Sequence, residues 1–365
     1  MAKTMTKKEA EEFFSSMEAL AEERELTIDQ VKLAFSEAML AGVKRMLDTK
    51  SCSVRVEFDE EKRQVHSFVQ YLVVEDYSLD ADKNYAQLLL SDAKNINKKA
   101  KIGDILEQEV IPSEFGLFAI RDFKNKFNEM LINMRKDAVY NHFKKFEHNM
   151  LMGTVIEETD DFIRLDIGKD MTTLLPKKEI LPNDKFRKND KIRVYVVEVE
   201  FKAKWPKVYV SRTNTGLINR LFEYEIPEIK DGTIEVMGIS RDPGDRSKIG
   251  VKSNDSKVDP IGACVGEGGV RIKNIVSALS GEKIDLFRWS DNERDLIANS
   301  LQPADVVAVT RVNPRDKSAL AIVPDNQLSL AIGKLGQNVK LAVQATGWSI
   351  DIKSESQVQD EGIIY

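Results

Sequence analysis

The sequence is poor in the residues that build reactive or cross-linked sites. It holds 2 cysteines, 3 histidines and 3 tryptophans in 365 residues. Cys52 and Cys264 stand far apart, so no disulfide framework is expected and a reducing cytoplasm is the expected location. His66, His142 and His148 show no metal-ligand spacing and there is no Cys-x-x-Cys pair, so no metal or other cofactor is expected. No apolar run approaches the roughly 20 residues of a membrane span, and the Lys- and Glu-rich start has no secretory apolar segment. No membrane association is expected. The phosphate-cradling pattern Gly-x-x-x-x-Gly-Lys-Ser/Thr is also missing.

Charge, by contrast, is plentiful and unevenly placed. Charged residues make up 31% of the chain and apolar residues 42%, enough for real cores, and the net charge is −6. Residues 1–150 carry 23 basic and 27 acidic groups, residues 151–220 carry 14 and 11, and residues 221–365 carry 17 and 22. Within Asp184–Arg212 nine Lys/Arg stand against four Asp/Glu. Screening confines charge effects to about 8–10 Å, so a locally basic strip on an acidic chain still tracks phosphates.

The patterning predicts an α+β multidomain protein. Residues 1–148 read as a helical and β N-terminal domain with a long connector helix. A helix is expected over residues 7–23, and Thr27 with Gln30 makes a capping box for a second, to about Leu47. Val54, Val56 and Phe58 alternate as a strand and Val65–Val74 returns; beyond the polar stretch Lys94–Lys101, Ile105–Val110 is a further short strand. Ser113 is the expected N-cap of a long helix with the apolar stripe Phe115, Phe118, Phe123, Phe127, Met130, Met134, Ala138 and Phe143. Residues 149–213 hold five short β-like runs: Met152–Glu158, Phe162–Ile167, Met171–Leu175, Lys191–Glu200 and Lys207–Arg212. With the irregular Pro176–Asp190 after the third, they fit a small OB-fold barrel of the ribosomal S-one type.

The remainder is said twice, over residues 214–302 and 303–365. Asn214 and Thr215 cap a helix that Pro227 is expected to end. Each copy then has two strands, a short helix, a Gly-x-x-Gly, a second helix and a third strand, the pattern of tandem type-II KH domains. The tetrapeptides are Gly266-Glu267-Gly268-Gly269 and Gly333-Lys334-Leu335-Gly336, 67 residues apart. One Gly-x-x-Gly has little meaning; two at matched positions in matched patterns have much. In KH domains such a loop lets the backbone approach a sugar-phosphate chain, beside a groove for about four unpaired nucleotides. Val265 with Arg271 and Lys273 flank the first loop, and Ile332 with Gln337, Asn338 and Lys340 the second. These are expected to provide an apolar floor, amides for base edges and cations for phosphates. The first loop follows a helix, where a dinucleotide fingerprint would follow a strand. In the barrel, Phe162 is the expected stacking platform, with Lys185, Arg187, Lys188, Lys191 and Arg193 around Phe186. Trp205 stands at the expected hairpin tip.

The order of barrel, KH and KH after a helical N-terminal domain resembles the NusA family of bacterial transcription elongation and termination factors. The residues that carry the resemblance are Ser211-Arg212-Thr213, Arg220-Leu221-Phe222-Glu223, Ile226–Ile229, Arg241-Asp242-Pro243-Gly244, Arg246–Ile249, Asp259–Gly266 and Leu330–Ala342. They cover about Gly153–Lys353, whereas the first 150 residues match in layout. The resemblance implies a non-enzymatic factor whose N-terminal domain docks on RNA polymerase core near the RNA exit channel. Barrel and KH modules then hold nascent single-stranded RNA, with Arg212 among the RNA contacts, and other antitermination factors as partners of an expected monomer. Glu267 departs from the uncharged or basic residue usual there, so the second KH module is expected to contribute more affinity. No acidic repeats of the kind some longer relatives carry are present, and functions that need them are not expected. Two other classes use the same modules: an RNA-degrading enzyme and a ribosome-associated RNA binder. The first needs clustered carboxylates; the first 150 residues have Asp/Glu scattered along helices, and their one cluster, Glu57, Asp59, Glu60 and Glu61, reads as a solvated turn.

Overall fold

The computed structural model describes residues 7–78, 82–201 and 205–362, and contacts divide the chain between His142 and Phe143 into two units. In the first, α1 (Lys7–Arg24) and α2 (Ile28–Met46) form where the periodicity places them. Thr27 caps α2 as expected: its hydroxyl accepts from the Gln30 amide at 3.2 Å, and the Gln30 side chain accepts from the Thr27 amide at 2.9 Å. Val31, Ala34, Phe35, Ala38 and Met39 form the buried stripe of α2. The hairpin β1 (Ser53–Asp59) and β2 (Gln64–Val74) follows the alternation, while β3 (Ala86–Leu89), α3 (Leu90–Ile96) and β4 (Ile105–Glu109) complete a four-stranded sheet and its cover.

The long helix, α4 (Leu117–Lys144), starts later than Ser113. Pro112–Glu114 is a separate 3-10 turn, because Phe115 behind it is extended. Phe115 instead enters the core against α2, where a side chain on Gly42 would lie 2.3 Å from its ring. Phe118 leaves the expected stripe. It faces solvent with the Arg45 and Arg121 guanidinium groups 5.5 and 5.2 Å from its ring centroid.

The second unit begins with five antiparallel strands, β5 (Met150–Glu158), β6 (Phe162–Gly168), β7 (Met171–Pro176), β8 (Lys191–Phe201) and β9 (Pro206–Ser211). They are ordered β7-β6-β5-β8-β9, and the Thr173 hydroxyl donating to the Val208 carbonyl at 2.5 Å joins the two edge strands into a nearly closed barrel. Alternate residues, among them Ile163, Leu165, Ile192, Val194 and Val196, fill its interior.

Asn214 caps α5 (Thr215–Glu225) through the Gly216 amide at 2.8 Å. Pro227 opens the short α6 (Pro227–Lys230) rather than only ending α5, since its missing N–H belongs to an unpaired first-turn position. The first KH unit continues with β10 (Ile234–Asp242), β11 (Arg246–Ser253), α7 (Pro260–Val265), α8 (Val270–Ala278) and β12 (Lys283–Arg288). The second repeats it as α9 (Glu293–Ser300), β13 (Ala308–Asn313), β14 (Ser318–Val323), α10 (Leu328–Ile332), α11 (Gln337–Thr346) and β15 (Ser349–Ser354), followed by α12 (Glu355–Asp360). Each sheet pairs its first two strands antiparallel and its third parallel to the second.

Polar and apolar contacts tie the modules of this unit together. Leu181 of the barrel insertion shares a core with Leu217, Phe222 and Ile249, and Phe287 of the first KH sheet packs in the core of the second. The Gln344 side chain accepts from the Ser240 hydroxyl at 2.7 Å.

Candidate nucleic-acid interface

Each KH unit presents its glycine tetrapeptide between two helices, α7 and α8 in the first, α10 and α11 in the second. The two backbones follow one path. φ is 75°, 60° and 74° at Gly266, Gly268 and Gly269, and 78°, 53° and 75° at Gly333, Leu335 and Gly336. The glycines have different jobs. A Cβ on Gly333 would lie 2.7 Å from the Asn338 backbone nitrogen, and one on Gly266 2.8 Å from Arg271 Cγ. The first glycine therefore lets the following helix close on the loop. A Cβ on Gly336 would meet nothing within 4 Å, so there glycine serves the left-handed turn and leaves the backbone open from outside. Leu335 takes a left-handed φ without being glycine and is 95% exposed. That backbone costs an L-residue about 1–2 kcal/mol, and the leucine buries almost nothing in the chain that would offset it.

The cations differ between the copies. Arg271 donates to the Glu228 carboxylate at 2.8 Å and to the Ala263 carbonyl at 2.7 Å, and Lys273 donates to the Gly268 carbonyl at 3.0 Å. Both brace the first loop, whose tip carries the exposed Glu267. Lys334 and Lys340 are exposed, and neither makes an ion pair among the described residues. Ile332 is partly exposed beside them.

Three expected contacts are engaged elsewhere. Asn338 is 7% exposed, and its amide nitrogen donates to the Leu301 carbonyl at 3.0 Å and the Ala331 carbonyl at 2.9 Å. Near the start of α11 its short side chain folds back onto the ends of α9 and α10, out of reach of a base edge. Gln337 donates to the Asp242 and Asp245 carboxylates at 2.8 and 2.5 Å, joining α11 to the first KH hairpin. Arg212 is 2% exposed. It grips Asp184 with two hydrogen bonds of 2.7 and 2.8 Å and donates to the Arg193 and Ala278 carbonyls at 2.7 and 3.0 Å. It fastens the barrel to the first KH unit and cannot reach a phosphate.

On the barrel, Phe162 is half-buried with the Arg164 guanidinium 6.0 Å from its ring centroid, a neighbour that the sequence reading missed. Lys185, Arg187 and Lys188 are exposed and make no ion pair among the described residues. Phe186 lies under Arg212, at 5.2 Å, while Arg193 turns away from it to cover Tyr224 at 5.0 Å. Trp205 is partly exposed in a groove with Leu174 and Tyr209; residues 202–204, on which the expected tip falls, lie outside the described residues.

Among the described residues, no three His, Cys, Asp or Glu side chains are grouped to hold a metal ion. In the acidic hairpin turn, Glu57, Asp59 and Glu60 pair with Arg55, Lys62 and Lys32. Both cysteines are free, and burial pushes the Cys52 thiol up to about 11 and the Cys264 thiol up to about 12.

Sequence models of four domain families match along the chain. The NusA N-terminal domain matches residues 12–137 and the S1 RNA binding domain residues 144–210. The NusA-like first and second KH domains match residues 212–289 and 293–360. The transcription termination/antitermination protein NusA of Halalkalibacterium halodurans is 40% identical over 353 residues, 97% of this chain and 91% of that protein. The protein of that name from Bacillus subtilis is 39% identical, over 96% of this chain and 93% of its own length. That from Thermus thermophilus is 34% identical, over 96% and 91%. Identity at this level over nearly the full length, with the same run of domains, leaves one conclusion: the chain belongs to the NusA family.

Proposed function

We propose that this protein is a non-enzymatic transcription factor that docks on RNA polymerase core, near the RNA exit channel, and holds nascent single-stranded RNA. The N-terminal domain, residues 1–148, does the docking. The barrel (149–213) and the two KH modules (214–302 and 303–365) take the RNA, and the outcome is altered pausing, termination and antitermination together with other antitermination factors. The relatives it matches are named for termination and antitermination. No described helix is long and apolar enough to cross a membrane.

The observation that carries this reading is the pair of glycine loops with one backbone path, on the same unit as the barrel. The RNA contacts are the loop residues Gly266–Gly269 and Gly333–Gly336, with Lys334 and Lys340 on the phosphates and Phe162, Lys185, Arg187 and Lys188 along the barrel. Arg271 and Lys273 act from inside the first loop, and Glu267 repels phosphate at its tip, so the second KH module contributes more of the affinity. Binding weakens with salt at a log–log slope of about −0.7 per phosphate neutralised on a single strand.

The test is the lifetime of RNA polymerase at a hairpin-stabilised pause, with the protein and with its Lys334→Asp, Leu335→Asp variant. The wild type should lengthen the pause and the variant should not. RNA affinity of the variant should fall strongly, while its melting changes little: both side chains are exposed, and exposed substitutions usually stay within about 0.5 kcal/mol. A variant that melts far earlier would make the loop a structural element, and an unchanged pause with RNA binding intact would remove polymerase from the proposal.

A further inference from the structure

A groove of about 480 Å³ lies where the barrel meets the first KH unit, lined by Met152, Arg193, Arg220, Tyr224 and Lys230 among others. Its size falls within the roughly 300–1,000 Å³ of ordinary ligand pockets. The strand register builds the floor. Met152 on β5 and Arg193 on β8 are directly paired, so both side chains leave the barrel on the same outer face. Helix α5 packs across these two strands and makes the wall. Arg220 and Tyr224 are four residues apart and share one side of that helix, and Lys230 follows at the end of α6.

The groups are arranged for stacking. The Arg193 guanidinium lies 5.0 Å from the centroid of the Tyr224 ring, which is 64% exposed. One side of the phenol is thus held by a cation while much of the ring stays open. Arg220 is fixed by donating through Nε to the His148 carbonyl at 3.0 Å and through a terminal nitrogen to Glu223 at 2.5 Å. Glu223 is the one carboxylate in the lining and it is engaged by Arg220; Arg193 and Lys230 make no ion pair among the described residues. The groove is therefore net basic, with an aromatic platform in it. Single-stranded nucleic acid is bound by this combination: a base on the ring and its phosphates on the surrounding cations. Met152, 46% exposed, adds an apolar side to the same cleft.

We infer that this groove is a further binding site for an unpaired nucleotide of the RNA, its base on Tyr224 and its backbone along Arg220 and Lys230. The site rests on the RNA-binding reading above and extends it, by giving the strand a fixed hold between the barrel and the first glycine loop.

The experiment compares two RNA lengths on the full chain. One is a tetranucleotide, about what a single KH groove holds. The other has roughly 24 nucleotides, two KH grooves plus an OB site of up to about 16. Tyr224→Ala should lose about 5- to 150-fold in affinity for the long RNA, the effect of one stacked base, and nothing for the short one. Tyr224→Phe should bind the long RNA as the wild type does, and Lys230→Ala should lower both affinity and salt slope. Unchanged binding of the long RNA by Tyr224→Ala, with its melting intact, would overturn the site. Equal loss on both lengths would also overturn it, by placing the effect in the KH loops. Loss of an acidic peptide ligand with RNA binding unchanged would assign the groove to a protein segment instead. A wild type that binds neither RNA would reject the RNA-binding reading itself, and this site with it.

Discussion

Lys248 sits within β11 with its Nζ 2.7 Å from the Gln302 carbonyl and 4.0 Å from an Asp285 oxygen. Burial, opposed by Asp285 and reinforced by Arg246, pushes its ammonium down from 10.5 to about 8. The unfolded chain keeps that proton up to about 10.5, so between pH 8 and 10.5 unfolding takes a proton up. Stability therefore rises with pH through that window, by up to about 3 kcal/mol in all. Urea unfolding across the window should show the wild type gaining on Lys248→Met, and parallel curves would mean that the lysine reaches solvent in the fold. Arg212 shows why residues of this kind are hard to read from sequence. It closes a basic strip, so it resembles a phosphate ligand, yet the donors of its guanidinium are met by Asp184 and by two carbonyls that lie far along the chain. Asn338 is the same case among amides. Residue type and spacing identify a donor, but the acceptor is chosen by tertiary packing.

Among elements, the glycine loops and the Thr27 capping box were legible because backbone conformation and local hydrogen bonds impose them over four residues. The five barrel strands were legible through alternation, and their boundaries moved by only a residue or two. Short elements were missed where pattern has no room to repeat: α3 has seven residues and β3 four. Helix α9 has eight, although Asn292, accepting from the Arg294 amide at 2.9 Å, is an N-cap signal in plain view. Pairing between elements of different modules left no sequence signal except small residues. On β10, a Cβ at Gly238 would sit 2.2 Å from the Ala345 carbonyl of α11 and 3.0 Å from the Trp289 ring. Gly238→Ala should therefore force the two KH units apart, at a cost of about 1–3 kcal/mol typical of overpacking. Gly116→Ala, with nothing within 4 Å, is the control. Thermal melting distinguishes them, and two equal melting temperatures would show that α11 can yield without loss.

At the scale of the molecule, residues 143–365 form a unit in which hydrophobic clusters ignore module boundaries. A fragment of those residues should unfold in one calorimetric transition, with van't Hoff and calorimetric enthalpies equal. Three resolved transitions would mean that barrel and KH modules fold independently and that the shared cores are weak. Gln337, Ser240 and the Gly238 contact hold one KH unit against the other, and with them the two glycine loops. For an RNA gripped at both loops, the second grip is an intramolecular event with a high effective concentration. A stiff mount makes that concentration peak for one length of intervening strand and fall on either side of it. The pair of loops then works as a caliper, and inserting one nucleotide between two recognised motifs weakens binding as surely as altering either motif.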